Sequence, residues 1–297
     1  MSRCRCCMHY RTVTDDVTGR RTTDGAGVRL VRVLGDPTVA RFDPFLMLDA
    51  FDSRDPQDYI RGFPLHPHRG IETFTYLAAG RIDHKDSLGN AGSKEIEEIG
   101  SCQWMTAGSG ILHEEMPRAS ERMLGLQLWV NLPRRDKMAP PQYRDITADQ
   151  VPVLEEDAAR VAVVAGRYNE VDGAARGAYV AVRFLDVTLR PGKTWSVAAP
   201  PEDTLFAYFM EGEANLVPAG TPLLARHAYL LGGGDTAAFT GGPEGARLVL
   251  VSGAPLHEPV AWGGPIVMNT EAELRQAYQE LEDGSFIRHA APALRLP

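Results

Sequence analysis

The sequence has little that would tie it to nucleic acid or to a membrane. Its 297 residues carry 31 Lys and Arg against 39 Asp and Glu, a formal net charge of -8. Such a chain lacks the excess of cations that phosphate binding needs, so we expect no direct nucleic-acid binding. No apolar run approaches the ~20 residues of a membrane span, and the first residues lack the apolar core of a signal peptide. We therefore expect a cytoplasmic protein that does not associate with membranes.

Cysteine is scarce as well. The chain has 4 Cys, and Cys4, Cys6 and Cys7 crowd its first residues. They cannot form a disulfide framework through the fold. With His9 they could bind a soft metal, although their spacing is not the C-x2-C of zinc sites. The other interpretation is a flexible N-terminal tail over residues 1–20 with oxidisable thiols.

Three signatures of nucleotide or acyl chemistry are missing. The sequence has no G-x-S-x-G elbow, no Walker loop and no G-x-G-x-x-G after a strand. The glycines of 232–235 follow a strand-like run, but they lack the phosphate-binding pattern and predict a turn. These absences give no support to a hydrolase of the serine type or to a nucleotide-binding enzyme.

Turn formers and short β-type runs are plentiful. The chain has 29 Gly and 21 Pro. Between the turn clusters lie β-branched and aromatic runs at Val28–Leu34, Thr73–Leu77, Leu126–Leu132, Val161–Ala165, Tyr179–Leu189, Thr204–Met210 and Leu248–Val251. Many short strands with few helical periods are typical of β-sandwiches and barrels.

Helical patterns are confined to two places. Near the C-terminus, Thr270 and Glu273 form a capping box before an apolar face of period 3.6, and Gly284 ends the pattern. This predicts a helix that packs against a sheet. A weaker helical pattern over Thr147–Ala159 is interrupted by Pro152, and we interpret it as the passage between two domains.

A faint internal repeat also predicts two domains. The stretch Tyr76–Gly80 resembles Tyr208–Gly212, at an offset of 132 residues (212 minus 80). In each stretch a strand meets a glycine turn and continues as a strand. A repeat at this distance indicates a duplicated β-domain.

Four residues stand out as a candidate metal site. His66 and His68 are two residues apart, and so are His113 and Glu115. Because alternate residues of a β-strand project to the same side, each pair faces one way. If the two strands are neighbours, three imidazoles and one carboxylate converge.

These ligand types indicate a transition metal. Imidazole suits Fe, Zn, Cu and Ni, and the carboxylate favours Fe or Mn. Three His and one Glu leave two positions of an octahedron open for water, substrate or dioxygen. A closed tetrahedral zinc site is the competing interpretation, and the spacing does not separate the two.

Three nearby residues could be confused with the ligands. Glu72 has the same parity as His66 and His68, but Gly70 interrupts the strand between them, so both direct and indirect roles stay open. Glu114 has the opposite parity and is predicted to point away from the metal. His84 is predicted to be a paired histidine in a hairpin.

Seven stretches of the chain form a highly specific pattern. They are Asp43–Asp49, Gly62–Thr73, Asp86–Asn90, Gln103–Gly108, Gly110–Pro117, Glu258–Trp262 and Met268–Thr270. In this pattern, from near residue 25 to the C-terminus, the sequence resembles the pirin family of the cupin superfamily.

The resemblance implies an all-β bicupin, with two antiparallel, jelly-roll-like β-barrel domains and a short C-terminal helix. We expect the N-terminal metal-binding cupin over 21–140, a linker over 141–160 and a degenerate C-terminal cupin with the terminal helix over 161–297. In that second barrel, Ala198 and Pro200 stand where His66 and His68 stand in the first. Neither can bind a metal, so we expect one site per chain.

The resemblance also implies ligands and an activity. The family's metal ligands fall on His66, His68, His113 and Glu115, the metal being most often Fe(II), with Mn, Zn, Cu and Ni as other divalent candidates. The implied reaction is that of a quercetin 2,3-dioxygenase, in which a flavonol and O2 react and Glu115 is also the catalytic base. The alternative is a non-catalytic, iron-dependent regulatory protein that binds a transcription factor or a metabolic enzyme.

Overall fold

The computed structural model describes residues 8–96 and 100–289. Within these residues the chain is built almost entirely from β-strands, and every pairing in its two large sheets is antiparallel. The all-β prediction is therefore confirmed. Cys4, Cys6 and Cys7, the proposed soft-metal ligands of the N-terminus, lie outside the described residues.

The N-terminal half of the chain contributes its first strand to one large sheet and its other ten strands to the second large sheet. They are β1 (Thr12–Thr18), β2 (Arg20–Asp24), β3 (Val28–Leu34), β4 (Phe45–Ser53), β5 (Phe63–His68), β6 (Ile71–Asp86), β7 (Ala91–Ile96), β8 (Ser101–Thr106), β9 (Ile111–Arg118), β10 (Met123–Asn131) and β11 (Gln142–Ile146). A one-turn helix, α1 (Val39–Phe42), precedes β4.

The strands of the C-terminal half end in a small hairpin and a helix. They are β12 (Val153–Glu155), β13 (Ala159–Ala165), β14 (Arg167–Tyr168), β15 (Val171–Asp172), β16 (Arg183–Leu189), β17 (Thr194–Ala198), β18 (Thr204–Leu216), β19 (Thr221–Leu224), β20 (His227–Gly232), β21 (Thr236–Gly253), β22 (Ala261–Gly263) and β23 (Ile266–Met268). Helix α2 (Glu271–Glu282) follows β23. None of the helices within the described residues has the length and apolar character needed to cross a membrane.

The chain divides into two compact units. The first unit holds Arg20–Val151, Ala178–Val180 and the segment that begins at Leu256, and the second holds the residues through Gly19, Pro152–Gly177 and Ala181–Pro255. The step from Val151 to Pro152 lies inside the linker expected over 141–160.

The last segment does not belong where the sequence placed it. We expected residues 161–297 to form one domain, but the segment from Leu256 groups with the first unit. The apolar face of α2, with Leu274 and Ala277, packs on Ile266 and Met268 of the adjacent hairpin. The prediction was wrong for this segment because a helix follows the surface that buries its apolar face, whatever its position in the chain.

The N-terminal tail expected over 1–20 is also corrected. Residues Thr12–Thr18 form β1, which pairs with β20 at the edge of the second unit's sheet. Val13 packs against the apolar core of that unit. The buried guanidinium of Arg11 donates to the carbonyl of Leu231 at 2.6 Å. The segment is polar in sequence, but these contacts with residues more than 200 positions later in the chain hold it in the second unit.

The first unit brings the two histidine-bearing strands together. Its main sheet runs β11-β8-β6-β10-β4-β3-β2, and β9 pairs with both β5 and β6. The register of β5 with β9 places His66 opposite His113. The register of β6 with β9 places His84 opposite Glu115.

The second unit has an apolar interior. Its sheet runs β1-β20-β18-β21-β16-β13-β12, and β17 and β19 pair with β21 and β18. Aromatic residues such as Trp195, Phe209 and Phe239 fill the space between these strands. The interior of this unit is therefore filled by apolar side chains.

The internal repeat appears as a matched pair of β-bulges. Gly80 and Gly212 lie inside the long strands β6 and β18, with φ values of +105° and +71°. The ladder register shifts beside each of them. A β-bulge changes the direction of its strand, and glycine is suited to both positions because it adopts a positive φ without strain.

The helix predicted near the C-terminus is confirmed, and the weaker helical pattern of the linker forms no α-helix. The Thr270 hydroxyl accepts a hydrogen bond from the Glu273 amide at 3.2 Å, and the Glu273 carboxylate accepts one from the Thr270 amide at 2.9 Å. Within Thr147–Ala159, only a 3-10 turn at Ala148–Gln150 forms before β12 begins. Pro152 and the pairing of β12 with β13 prevent the helix.

Candidate metal centre

Strands β5 and β9 carry the candidate ligands. In β9, His113 and Glu115 are buried, and Glu114 between them is half-buried. This is the alternation that strand parity predicts. In β5, His68 is buried and His66 is half-buried. The His66 side is therefore the more open side of the cluster.

The three histidines meet at their Nε2 atoms. The Nε2 of His66 lies 3.1 Å from that of His68 and 2.9 Å from that of His113. Each of the three residues offers one ligand atom, and these atoms all lie within 4.8 Å of one another. The structure thus brings together three of the four residues that the sequence selected.

Backbone carbonyls fix which ring nitrogen carries the proton in two of these histidines. The Nδ1 of His66 lies 2.8 Å from the carbonyl oxygen of Pro64, and the Nδ1 of His68 lies 3.0 Å from that of Pro265. A carbonyl accepts only, so each Nδ1 is the donor and each neutral ring keeps a lone pair on Nε2.

Burial keeps the rings of His68 and His113 neutral. It lowers the pKa of His68 to about 3, with the neighbouring His66 contributing. It also lowers the pKa of His113 well below its usual value. Within the described residues the Nδ1 of His113 has no hydrogen-bond partner. Lone pairs that face each other at these distances repel, and a cation between them would satisfy them, so the donor set fits a divalent transition metal.

Glu115 lies on the same face of β9 as His113 but is outside the close group of ligand atoms. Its Oε1 accepts a hydrogen bond from the Thr75 hydroxyl at 2.9 Å, and its Oε2 accepts one from Gln127 Nε2 at 2.7 Å. A carboxylate has about four lone-pair sites, so these two bonds orient it and leave acceptor capacity for a metal.

The structure separates Glu115 from its two acidic neighbours. Glu72 is fully buried and accepts from the Thr106 hydroxyl at 2.7 Å, and burial raises its pKa. Three residues separate it from Thr75, whose hydroxyl bonds Glu115, so Glu72 lies on the opposite face of β6 and points away from that carboxylate. Glu114 pairs with Lys85 at 3.1 Å, as expected of an outward residue.

His84 is a paired histidine, as predicted, but it also borders the cluster. Its Nε2 lies 3.1 Å from Asp86 Oδ2, and its ring centroid is 5.5 Å from that of His113. Tyr143 of β11 stacks on the His84 ring with centroids 4.1 Å apart. Sequence reasoning missed Tyr143, whose position depends on the pairing of β11 with β8.

Sequence reasoning also missed the polar side chains that hold the site from β6 and β10. Gln127 and Trp129 are two residues apart in β10, and the Trp129 ring stands edge-on to His68 with centroids 5.0 Å apart. The sequence did contain a signal for them, because Gln127 and Trp129 alternate with Leu126 and Leu128. This alternation places the glutamine and the tryptophan on one face of the strand and the leucines on the other.

The second unit has no equivalent group among its described residues. Ala198 ends β17, and Pro200 follows it. The expectation of a single candidate site agrees with this arrangement.

Comparison with known proteins identifies the same two-part organisation. The family model described as pirin matches residues 27–130, and the model described as the pirin C-terminal cupin domain matches residues 184–287. Together they cover more than half of the chain.

Individual relatives match over nearly their whole length. A protein of Pseudomonas aeruginosa with the name "Putative quercetin 2,3-dioxygenase" is 43% identical over 286 residues, covering 93% of this chain and 98% of its own. Human pirin is 39% identical over 273 residues, covering 90% of this chain and 91% of its own. The crystal structure of a quercetin 2,3-dioxygenase from Acinetobacter baumannii superposes with a TM-score of 0.83 at 30% identity, covering 93% of this chain and 98% of that one. With its two cupin-type β units and its converging histidines, the chain belongs to the pirin family.

Proposed function

We propose that this protein binds a divalent transition metal through His66, His68, His113 and Glu115, and that it cleaves a flavonol oxidatively with O2. The observation that carries the proposal is the meeting of the histidine Nε2 atoms at 2.9 and 3.1 Å, with the Nδ1 protons of His66 and His68 directed to carbonyls. Two relatives bear the name of this reaction. Fe(II) suits three imidazoles and one carboxylate, and Mn, Zn, Cu and Ni are the competing metals.

The metal would supply Lewis acidity and a template for the flavonol hydroxyl and for O2. The chain's own contribution is the placement of a base. Glu115 is held as an acceptor by Thr75 and Gln127, so its carboxylate is available for the hydroxyl proton of a bound flavonol. The two hydrogen bonds restrict the carboxylate to one orientation, which lowers the entropic cost of reaching a productive geometry.

Apolar and aromatic side chains next to the histidines suit a flat aromatic substrate. Trp129, Met105 and Ile111 belong to one buried cluster, and Tyr143 packs against it. Such surfaces favour stacked and edge-on aromatic contacts and exclude water from the reacting centre. A flavonol with one chelating edge and apolar rings matches this combination.

The first test is metal content. Purified protein is analysed for bound metal beside His113→Ala, which removes the ligand that contacts His66. We expect about one metal per wild-type chain and a loss in the variant. Equal metal content in both proteins would contradict the assignment of the site.

The second test is turnover. Iron-loaded protein is mixed with quercetin without oxygen, and O2 is then admitted while the flavonol absorbance is followed. We expect the absorbance to fall faster than with free iron. Glu115→Ala should abolish this excess, and Glu114→Ala, which removes the outward neighbour, should keep it. A wild-type rate equal to that of free iron would overturn the dioxygenase proposal.

Metal binding without turnover would favour the regulatory alternative. In that case partners captured by ferrous and ferric protein should differ, because the redox state of the metal is the signal in that hypothesis. Identical partner sets in the two states would count against it.

A further inference from the structure

The hydrogen bond that orients His68 comes from far along the chain. Its acceptor is the carbonyl of Pro265, 197 residues away, at 3.0 Å from His68 Nδ1. Partners of the non-ligating nitrogen set the tautomer and the ring orientation of a metal-binding histidine. The position of Pro265 therefore decides whether the His68 Nε2 lone pair faces the other histidines.

Pro265 lies in the turn of the hairpin formed by β22 and β23, here called the C-terminal hairpin. In this hairpin Ala261 pairs with Met268, and Gly263 pairs with Ile266 next to the turn. Arg69 directly follows His68 in the chain, and its carbonyl accepts a hydrogen bond from the Val267 amide at 3.1 Å. The hairpin thus lies along the backbone of the metal motif.

A second route joins the hairpin to His68 through aromatic rings. Trp262 packs on Trp129 with ring centroids 5.9 Å apart, and Trp129 stands edge-on to His68 at 5.0 Å. The indole of Trp262 donates to the carbonyl of Gly264 at 2.8 Å, which ties the ring to the turn that contains Pro265. The Pro265 carbonyl that contacts His68 and the Trp262 ring that packs on Trp129 therefore belong to the same hairpin.

A buried arginine holds this arrangement to the rest of the first unit. Arg69 is 2% exposed, and its Nε donates to the carbonyl of Ser109 at 2.7 Å. Its Nη2 donates to the carbonyl of Phe286 at 3.0 Å and lies 2.8 Å from Glu280 Oε2 of helix α2. The guanidinium also sits over the Phe286 ring, 4.0 Å from its centroid.

The charge of Arg69 makes Glu280 essential to this contact. Within the described residues, Glu280 is the carboxylate that lies at ion-pair distance from Arg69, and Arg288 shares it at 3.1 Å. A buried cation that loses its counter-charge is strongly destabilising. Loss of the Glu280 charge should therefore expel Arg69 or shift helix α2.

A buried lysine fixes the other side of the hairpin. Lys137 is 2% exposed, and its Nζ donates to the carbonyls of Gly70 and Val267 at 2.8 and 2.9 Å. The backbone directly after Arg69 and the second strand of the hairpin are thus bound to the same Nζ atom.

We propose that the C-terminal hairpin and helix α2 position His68 for metal binding, and that the Arg69–Glu280 ion pair is the contact that holds them in place. Arg69 and Glu280 are positioning residues, because neither touches the metal ligand atoms. The proposal rests on His68 being a metal ligand, as proposed above. It makes metal affinity a property of the segment after Leu256.

The test uses Co(II) as the metal, added to the full-length apoprotein and followed by its visible absorption. Glu280→Gln keeps the size of the side chain and removes its charge. We expect Co(II) affinity to fall by about 10- to 100-fold and the spectrum to change, as for other partners that orient metal ligands. Glu282→Gln makes the same charge change at an exposed position of the same helix. This control should leave the Co(II) affinity and the visible spectrum unchanged.

A second measurement is made on the wild-type protein and does not depend on the folding of Glu280→Gln. Long-range 1H–15N spectra of the wild-type apoprotein report the tautomer of each histidine, with His68→Gln used to assign the His68 signal. We expect the Nδ1-protonated form, since Pro265 accepts from that nitrogen. The Nε2-protonated form would overturn the proposal.

The outcomes separate this proposal from the one on which it rests. If wild-type protein does not bind Co(II), the metal site itself is refuted. If wild-type protein binds Co(II) and folded Glu280→Gln binds it equally well with the same spectrum, the site stands and the positioning role of the C-terminal segment is refuted. Circular dichroism establishes that the variant is folded.

Discussion

Acidification of the metal-free protein offers a quantitative check on the neutral state of His68. Its pKa in the folded protein is about 3, against 6.5 for an ordinary histidine, because burial opposes the charged form. Between these values the unfolded chain binds more protons than the folded protein, so the free energy of unfolding falls as the pH falls. From pH 7 to pH 5 this shift corresponds to a loss of about 2 kcal/mol.

The assay is urea denaturation of chelator-treated protein at both pH values. Carboxylates also titrate in this range, so the comparison is made with His68→Gln, which lacks the titrating ring. We expect wild type to lose about 2 kcal/mol more than the variant between the two pH values. His289→Gln, at an exposed position, should lose as much as wild type.

The reasoning would be refuted by equal losses in wild type and His68→Gln. That result would mean that the folded protein accommodates a charged His68 as readily as water does. The argument for a neutral imidazole with its lone pair on Nε2 would then fail.

Three further predictions concern the frame around the site. Gln127→Leu leaves Glu115 Oε2 without its donor, and we expect metal affinity to fall by about 10- to 100-fold in a Co(II) titration. Gly70→Ala should lower the free energy of unfolding in urea by more than about 1 kcal/mol, because φ is +78° and the new Cβ would lie 1.9 Å from the Val267 carbonyl oxygen. A smaller loss would show that the backbone at Gly70 can move to accept the new methyl group. Thr270→Ala removes the cap of α2 and should cost about 1 kcal/mol in the same assay, whereas an unchanged midpoint would show that the cap adds nothing.

The candidate ligand pairs could be read from the sequence because their geometry is local. The side chains of alternate residues in a strand share a face, so His66 with His68 and His113 with Glu115 were paired before any fold was known. The capping box at Thr270 is local in the same way, and the structure confirms the capping box. The strand runs, such as Val28–Leu34, follow from β-branched composition and turn residues.

Other features depended on which segments became neighbours. No local pattern shows that Glu115 is held by Thr75 and Gln127, since that depends on the pairing of β6 with β9 and β10. Nor does it show that the Thr75 face of β6, and not the Glu72 face, meets Glu115. Tyr143 joins His84 only through the pairing of its strand.

By itself, then, the sequence determined the period-two ligand pairs, the all-β character and the capped helix. The tertiary structure alone decided that β1 joins the second unit and that the segment from Leu256 joins the first. It also decided that Pro265 orients His68 across 197 residues. The physical reason is that periodicity and capping act within a few residues, whereas the partner of a strand, a helix face or an imidazole proton is chosen by burial and register over the whole unit.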